Sequence, residues 1–292
     1  MIKGSIAALV TPFDVNNDVD YDKLRNLCDY HIENKTDGLC LLGTTAEAES
    51  LSDEEKVNIV RTVLEKTGGK IPIIVGLISN NQQRVIEMSK LFNNLDIDSF
   101  LVITPYYTKT NESGILKYFT YIADNVAKPI ILYNVPKRTG MGLSFDIIRA
   151  LAMHRNIKGI KEASGDMMLQ QRLVSIISEE FYLYSGDDQT LLASLGIGAS
   201  GFISVIANAF PLEMSTLYHE FDTNVKKSFD IYFKLLEIID SIYLEVSPIG
   251  IKYLMYVIGL IDCKYRVPLD EPGRQTKRAI EERAYEYLSN LN

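Results

Sequence analysis

One lysine of this chain lies where a soluble protein seldom places a charge. Ile157, Gly159 and Ile160 predict a short buried strand, and Lys161 lies at its C-terminal end. The turn Ser164-Gly-Asp166 after it can cap a helix. Desolvation disfavours the ammonium form of an amine and favours the neutral form, which attacks carbonyl groups and forms Schiff bases. Taken alone, Lys161 is more simply explained as a surface lysine, as Lys158 is, so the functional interpretation depends on its neighbours.

Side chains suited to the same chemistry follow other predicted strands. They comprise two hydroxyls, two tyrosines and one arginine, with two positions that offer backbone groups: Thr44, Thr45, Tyr107, Tyr133, Arg138, Gly186 and Ile203. Schiff-base chemistry needs an attacking amine, a group that moves protons as water is lost, and donors that hold a carboxylate. A tyrosine donates and accepts through one oxygen, and an arginine binds a carboxylate through two hydrogen bonds. Each residue alone has an ordinary structural explanation, but their convergence predicts an active site.

That convergence depends on the order of the elements. Eight short, continuously apolar segments alternate with helical patterns, at residues 4–10, 38–42, 71–76, 99–103, 129–133, 157–161, 181–184 and 201–205. Their starts are roughly 20 to 35 residues apart, the length of a strand–helix unit. Such strands form parallel sheets covered by helices, and eight of them favour an α/β fold of the (β/α)8 TIM-barrel type. In these barrels the working residues lie at the C-terminal strand ends, so the candidates should meet at one mouth.

The rest of the chain is helical, with predicted helices near 208–221, 224–242, 246–260 and 275–290. No polar linker precedes them. We therefore expect a barrel of residues 1–223 that carries the active site, and a C-terminal helical region of residues 224–292 packed on the barrel. Ser52-Asp-Glu-Glu55 predicts a capping box at the start of a helix, and the carboxylates of Asp187-Asp188 predict another helix start.

Composition excludes several classes of function. The 292 residues are 47% hydrophobic, with mean hydropathy near zero and a net charge of −8. An acidic chain has no general affinity for nucleic acid or anionic membranes, and no segment approaches the roughly 18 apolar residues of a membrane span. We expect no nucleic-acid or membrane partner and a cytoplasmic location. The three cysteines, Cys28, Cys40 and Cys263, have the spacing of neither a disulfide framework nor a metal site.

Five segments resemble the motifs of the dihydrodipicolinate synthases, a family of pyruvate-dependent class I aldolases. They follow in the family's order along essentially the whole chain, at residues 43–47 (Gly-Thr-Thr-Ala-Glu), 105–107, 133–140, 160–166 and 184–187. The resemblance implies a lyase that condenses pyruvate with L-aspartate 4-semialdehyde through a lysine imine, on the diaminopimelate route to lysine. It implies no metal and no cofactor, because the protonated imine is itself the electron sink, and it implies a homotetramer built as a dimer of dimers.

The resemblance also assigns catalytic roles to four candidates. Lys161 would form the imine with pyruvate, and Tyr133 would relay protons. Thr44 would link Tyr133 to Tyr107, which in the family is lent across a subunit interface to complete the neighbour's site.

Four further residues would bind the substrates. Thr45 would hold the pyruvate carboxylate and Arg138 the carboxylate of the semialdehyde, while backbone groups at Gly186 and Ile203 would complete the site. The nearest alternative function is that of a sister pyruvate lyase, which acts on N-acetylneuraminate or a 2-keto-3-deoxy sugar acid. Arg138 counts against this alternative, because such lyases generally lack this arginine. The other alternative is a non-catalytic barrel that binds a keto acid, against which the intact lysine and tyrosine count.

One departure from the family concerns feedback inhibition. Lysine-sensitive members bind lysine at the subunit interface through a serine, histidines and a glutamate, whereas this chain has Ala48, Asp53, Lys56 and Arg84 at the matching positions. Two cations should repel the cationic amino acid. We therefore predict weak or absent inhibition by lysine.

Overall fold

Eight parallel strands form a closed barrel in the computed structural model, which describes residues 2–290. The strands are β1 (Gly4–Ala8), β2 (Gly38–Leu41), β3 (Ile73–Leu77), β4 (Ser99–Ile103), β5 (Ile130–Asn134), β6 (Ile157–Glu162), β7 (Tyr182–Ser185) and β8 (Gly201–Ser204). Each pairs in parallel with the next, and β8 returns to β1. All strand residues except Lys158 are buried, as expected for a sheet covered on both faces. The predicted TIM barrel is confirmed.

The barrel closes through two glycines that lie opposite each other on β1 and β8. Gly4 is the register partner of Gly201, and a Cβ atom on Gly201 would lie 2.3 Å from the Gly4 carbonyl oxygen. Gly201 also has φ +155°, at the edge of the region that favours glycine. The closing strand pair therefore requires a residue without a side chain.

Helices follow the strands and cover the barrel: α1 (Tyr21–Glu33), α2 (Asp53–Thr67), α3 (Gln82–Leu91), α4 (Glu112–Asn125), α5 (Pro136–Thr139), α6 (Phe145–Ala152), α7 (Met167–Leu173) and α8 (Leu191–Gly196). The predicted capping box starts α2, where the Ser52 hydroxyl accepts from the Glu55 N–H and the Glu55 carboxylate accepts from the Ser52 N–H. The helix start predicted at Asp187-Asp188 is wrong, because α8 begins only at Leu191 and Asp188 is buried in long-range hydrogen bonds.

Four more helices complete the chain: α9 (Pro211–Glu220), α10 (Val225–Ile242), α11 (Ile249–Val257) and α12 (Arg274–Ser289). Leu235, Leu254 and Ile280 are fully buried in the same hydrophobic core as the barrel strands, so these helices pack on the barrel. The boundary predicted after residue 223 lies between α9 and α10. Between residues 2 and 290 no helix combines the length and the apolar character that a membrane crossing needs.

Candidate active site

A cavity of about 380 Å³ opens at the C-terminal ends of the strands. Six of the eight residues predicted from the sequence line it: Thr44, Thr45, Tyr133, Arg138, Lys161 and Gly186. The wall is completed by the loop after β7 and by residues 243–247, which connect α10 to α11. The sequence analysis placed the site on the barrel alone and missed this contribution of the C-terminal helices.

Lys161 lies on β6 beside Tyr133 on β5, because the two residues are register partners in the parallel sheet. Its side-chain nitrogen is 4.8 Å from the centroid of the Tyr133 ring, and the residue is only 5% exposed. Within residues 2–290 no carboxylate lies within 4.0 Å of this amine. Lys158, on the same strand, instead forms an ion pair with Glu180 at 2.5 Å. Lys161 is therefore the lysine of β6 that is buried without an ion-pair partner in the described chain.

Gly186 leaves the space that Lys161 occupies. A Cβ atom at this position would lie 2.7 Å from Lys161 Cε and 2.8 Å from both Lys161 Cγ and Ala163 Cβ. The Gly186 N–H donates to the Glu162 carbonyl oxygen at 2.7 Å, which holds the loop after β7 close to β6. A glycine here is thus a packing requirement of the lysine side chain.

The threonines lie in a single 3-10 turn, Thr44–Ala46, directly after β2. The Ala46 N–H donates to the Gly43 carbonyl and the Glu47 N–H to the Thr44 carbonyl, both at 3.1 Å. The Thr11 hydroxyl donates to the Ala46 carbonyl at 2.8 Å. These bonds hold the turn at the cavity wall, where the hydroxyls and N–H groups of Thr44 and Thr45 are placed to receive a carboxylate.

Arg138 lies on the short helix α5, which starts at Pro136, and its side chain is exposed. One guanidinium nitrogen donates to the Ser247 carbonyl oxygen at 2.5 Å. This bond joins the two sides of the cavity and orients the guanidinium, whose remaining N–H groups can bind an anion.

Two predicted residues do not line the cavity of the single chain. Tyr107 is 93% exposed, with φ +65°, in the loop after β4. Ile203 is fully buried within β8, and Val205 lines the cavity instead.

Two buried carboxylates that the sequence analysis missed hold the loops around the cavity. Glu162, next to Lys161, accepts from the Asn134 side-chain amide at 2.6 Å and from the Ser164 N–H at 2.7 Å. Burial raises the pKa of Glu162 and outweighs these hydrogen bonds, which lower it. Its position inside an apolar strand was the available sequence signal, because charged residues are rarely buried without partners.

Asp188 joins three segments of the cavity wall. One of its carboxylate oxygens accepts from the N–H groups of Val205 and Ile206 at 3.0 and 2.9 Å, and from the Tyr243 hydroxyl at 2.9 Å. Burial raises the pKa of Asp188. Burial also raises the pKa of Tyr243 well above its usual value, and the Asp188 charge raises it further. Asp188 therefore fixes the position of a cavity-lining tyrosine from the C-terminal helices.

Comparison with known proteins adds independent findings. A model of the dihydrodipicolinate synthetase family matches residues 1–286. The chain is 36% identical over 288 residues to the 4-hydroxy-tetrahydrodipicolinate synthase of Caldicellulosiruptor bescii, covering 98% of this chain and 97% of that protein. It is 39% identical over 280 residues to the enzyme of the same name from Macrococcus caseolyticus, covering 96% and 94%.

Solved structures show the same similarity. The chloride-inhibited dihydrodipicolinate synthase from Acinetobacter baumannii, complexed with pyruvate, has a TM-score of 0.95 and 35% identity, covering 98% of this chain and 99% of that one. The enzyme from Cyanidioschyzon merolae with lysine bound has a TM-score of 0.93 and 30% identity, covering 98% of each chain. The resemblance first found in the motifs is confirmed over the whole chain.

Proposed function

The chain belongs to the dihydrodipicolinate synthetase family, and on this premise we propose that it condenses pyruvate with L-aspartate 4-semialdehyde, as a 4-hydroxy-tetrahydrodipicolinate synthase. It is a lyase of the class I aldolase type. The observation that carries the proposal is Lys161, an amine at 5% exposure with no carboxylate within 4.0 Å in residues 2–290, in a cavity that also holds Tyr133 and Arg138.

Lys161 acts as the nucleophile in this proposal. Its neutral amine attacks C2 of pyruvate, the carbonyl oxygen takes up protons and leaves as water, and an imine forms. Tyr133 is the proton carrier, since its ring is in contact distance of the amine and its hydroxyl can both donate and accept. Loss of a proton from C3 then gives an enamine. Its C3 attacks the aldehyde carbon of the second substrate, and the new carbon–carbon bond forms.

The remaining cavity groups position the two substrates. Thr45 and the N–H groups of Thr44 and Thr45 bind the pyruvate carboxylate beside Lys161. Arg138, which lines the same cavity, binds the carboxylate of the semialdehyde. Backbone groups at Gly186 complete the site, and Val205 lies in the cavity wall where a backbone contact at Ile203 was predicted.

Tyr107 serves a neighbouring subunit in this proposal. Tyr107 is 93% exposed and has a left-handed backbone conformation. Within residues 2–290, no described contact gives its side chain a structural role. Lent across an interface, it would reach the Thr44 of a partner and join a relay from Thr44 to Tyr133. This role requires at least a dimer. In keeping with the family resemblance, we propose a homotetramer built as a dimer of dimers, located in the cytoplasm.

The weak or absent lysine inhibition expected from the sequence stays a prediction, with a modified reason. Lys56 is 6% exposed and, with Arg84 and Asp53, lines a cavity of about 450 Å³. Arg84 is ion-paired with Asp53, so its charge is largely neutralised. Lys56 is then the remaining cation that would oppose a bound lysine, and the Glu49 carboxylate in the same cavity offsets part of its charge.

A substrate-choice assay tests the proposed function. The purified protein should consume aspartate semialdehyde only when pyruvate is present, and it should cleave neither N-acetylneuraminate nor a 2-keto-3-deoxy sugar acid. Cleavage of a sugar acid would show that the protein has the activity of the sister lyases instead. Turnover of none of these substrates, with pyruvate still bound, would favour a keto-acid-binding barrel.

A further inference from the structure

A buried ion pair ties the threonine turn, defined as Thr44–Ala46, to the C-terminal helices. Glu47 follows the turn directly, and its carboxylate lies 2.6 Å from the side-chain nitrogen of Lys252 on α11. The Lys252 nitrogen also lies over two aromatic rings, 4.3 Å from the Phe13 centroid and 5.1 Å from that of Tyr265. Such contacts fix an ammonium group in place. The proposed mechanism uses neither member of the pair.

The second oxygen of Glu47 extends this connection. It accepts a hydrogen bond from the backbone N–H of Arg266 at 3.0 Å. The Arg266 guanidinium in turn donates to both Glu55 carboxylate oxygens, at 2.9 and 2.6 Å, and to the Ser50 carbonyl at 3.0 Å. The segment after the threonine turn is thus held from two sides by residues of the C-terminal region.

Stability alone does not account for this pair. The side chains of Lys252 and Glu47 are 0% and 1% exposed. Removing two charges from water is costly, and apolar side chains of the same volume are often equally stable, whereas an ion pair specifies one geometry. Glu47 also has a left-handed backbone conformation, with φ 54° and ψ 37°, which a non-glycine residue adopts only where its surroundings enforce it.

The pair connects two walls of the cavity. The threonine turn belongs to one of them, and residues 243–247, which precede α11, belong to another. Lys252 lies in the second turn of α11, close along the chain to Ser247, whose carbonyl accepts from Arg138. A change in the Glu47–Lys252 distance therefore changes the separation of these walls.

We infer that Glu47 and Lys252 are positioning residues, which hold the threonine turn at the distance from Lys161 that the carboxylate of a 2-keto acid requires. The inference rests on the proposed function and deepens it. Neither residue touches the substrate. The pair acts through Thr44 and Thr45, so its loss should weaken binding of the keto acid while Lys161 keeps its ability to form the imine.

The test is the pyruvate concentration that gives half-maximal imine, measured by borohydride reduction and intact-protein mass. The double variant E47Q/K252M removes both charges together, so no unpaired charge is buried. We expect its half-saturating pyruvate concentration to rise about 10- to 100-fold, the effect of losing one hydrogen bond to a charged group. At saturating pyruvate the adduct should still form completely. The matched control is K227M, which breaks the exposed pair Lys227–Glu220 between α9 and α10 and should leave half-saturation unchanged.

A lowered unfolding temperature with wild-type half-saturation in E47Q/K252M would overturn the inference and leave a purely structural pair. If the double variant does not fold, E47D replaces it in the test. This substitution keeps the charge but shortens the side chain by one methylene group, and the half-saturating pyruvate concentration is measured on the folded protein. Half-saturation unchanged in folded E47D would equally overturn the inference. A wild-type protein that forms no adduct would instead refute the proposed function, so the two failures are distinguishable.

Discussion

Gly186→Ala should slow imine formation because the new methyl group collides with the proposed nucleophile. The added Cβ would lie 2.7 Å from Lys161 Cε and 2.8 Å from Lys161 Cγ. Carbon atoms in contact are at least about 3.5 Å apart, so the overlap is about 0.8 Å. Ala163 Cβ, at 2.8 Å, also collides with the new methyl group. Lys161 must therefore be displaced.

The displacement can be converted to a rate. A misplacement of about 1 Å costs roughly 100-fold in rate, which corresponds to about 2.7 kcal/mol of transition-state stabilisation. Overpacking should also lower the free energy of unfolding by about 1–3 kcal/mol. We expect the rate of adduct formation at saturating pyruvate to fall about 100-fold in folded G186A, measured by timed borohydride quenching and mass.

The control is Gly142→Ala, whose Cβ would meet its nearest atom at 3.6 Å, an ordinary contact. Folding of each variant is checked by thermal unfolding. If folded G186A forms the adduct at the wild-type rate, then Lys161 does not occupy the position described, or it is not the nucleophile.

Three further predictions address the second substrate, the partner subunit and stability. Arg138→Met should raise the KM for aspartate semialdehyde about 10- to 100-fold and leave half-saturation by pyruvate unchanged in steady-state kinetics; equal effects on both substrates would contradict its role. Inactive Tyr107→Ala and Lys161→Ala proteins should regain activity after subunit exchange, because the mixed interface contains one complete site, and no recovery would argue against a shared tyrosine. The Arg266 hydrogen bond lowers the pKa of Glu55 below 4.5, so this carboxylate contributes stability that is present above its unfolded pKa and lost as the pH falls through its folded pKa. Urea unfolding of Glu55→Gln should therefore lose less stability between neutral and acidic pH than the wild type, and identical losses would refute this.

The barrel was predictable because its signals are local. Each strand is a short apolar run, and each helix shows its own periodicity or cap, as at Ser52. The helix start at Asp187-Asp188 was predicted wrongly for a physical reason. Acidic residues stabilise helix N-termini. Here, however, the Asp188 carboxylate accepts hydrogen bonds from the N–H groups of Val205 and Ile206 and from the Tyr243 hydroxyl, and no local pattern identifies these partners.

The candidate site likewise contains residues that could be predicted from the sequence and residues that could not. Six lining residues lie at or shortly after the C-terminal ends of strands, and the barrel geometry brings these ends together, so their convergence could be predicted. Residues 243–247 could not, because they reach the cavity wall through tertiary packing. The role of Lys252 could not be predicted either, because its bond to Glu47 spans 205 residues. Tyr107 was predicted from its position after a strand, and its role, which the resemblance implies, depends on a second subunit rather than on the geometry of one chain.

The most direct test of the central claim is the intact-protein mass after borohydride reduction with pyruvate. The account predicts that the wild type gains the mass of one reduced pyruvate and that Lys161→Ala gains none. Lys158→Ala, which removes the other lysine of β6, should form the adduct as the wild type does. A wild type without an adduct, or an adduct that persists in Lys161→Ala, would contradict the assignment of Lys161 as the Schiff-base lysine.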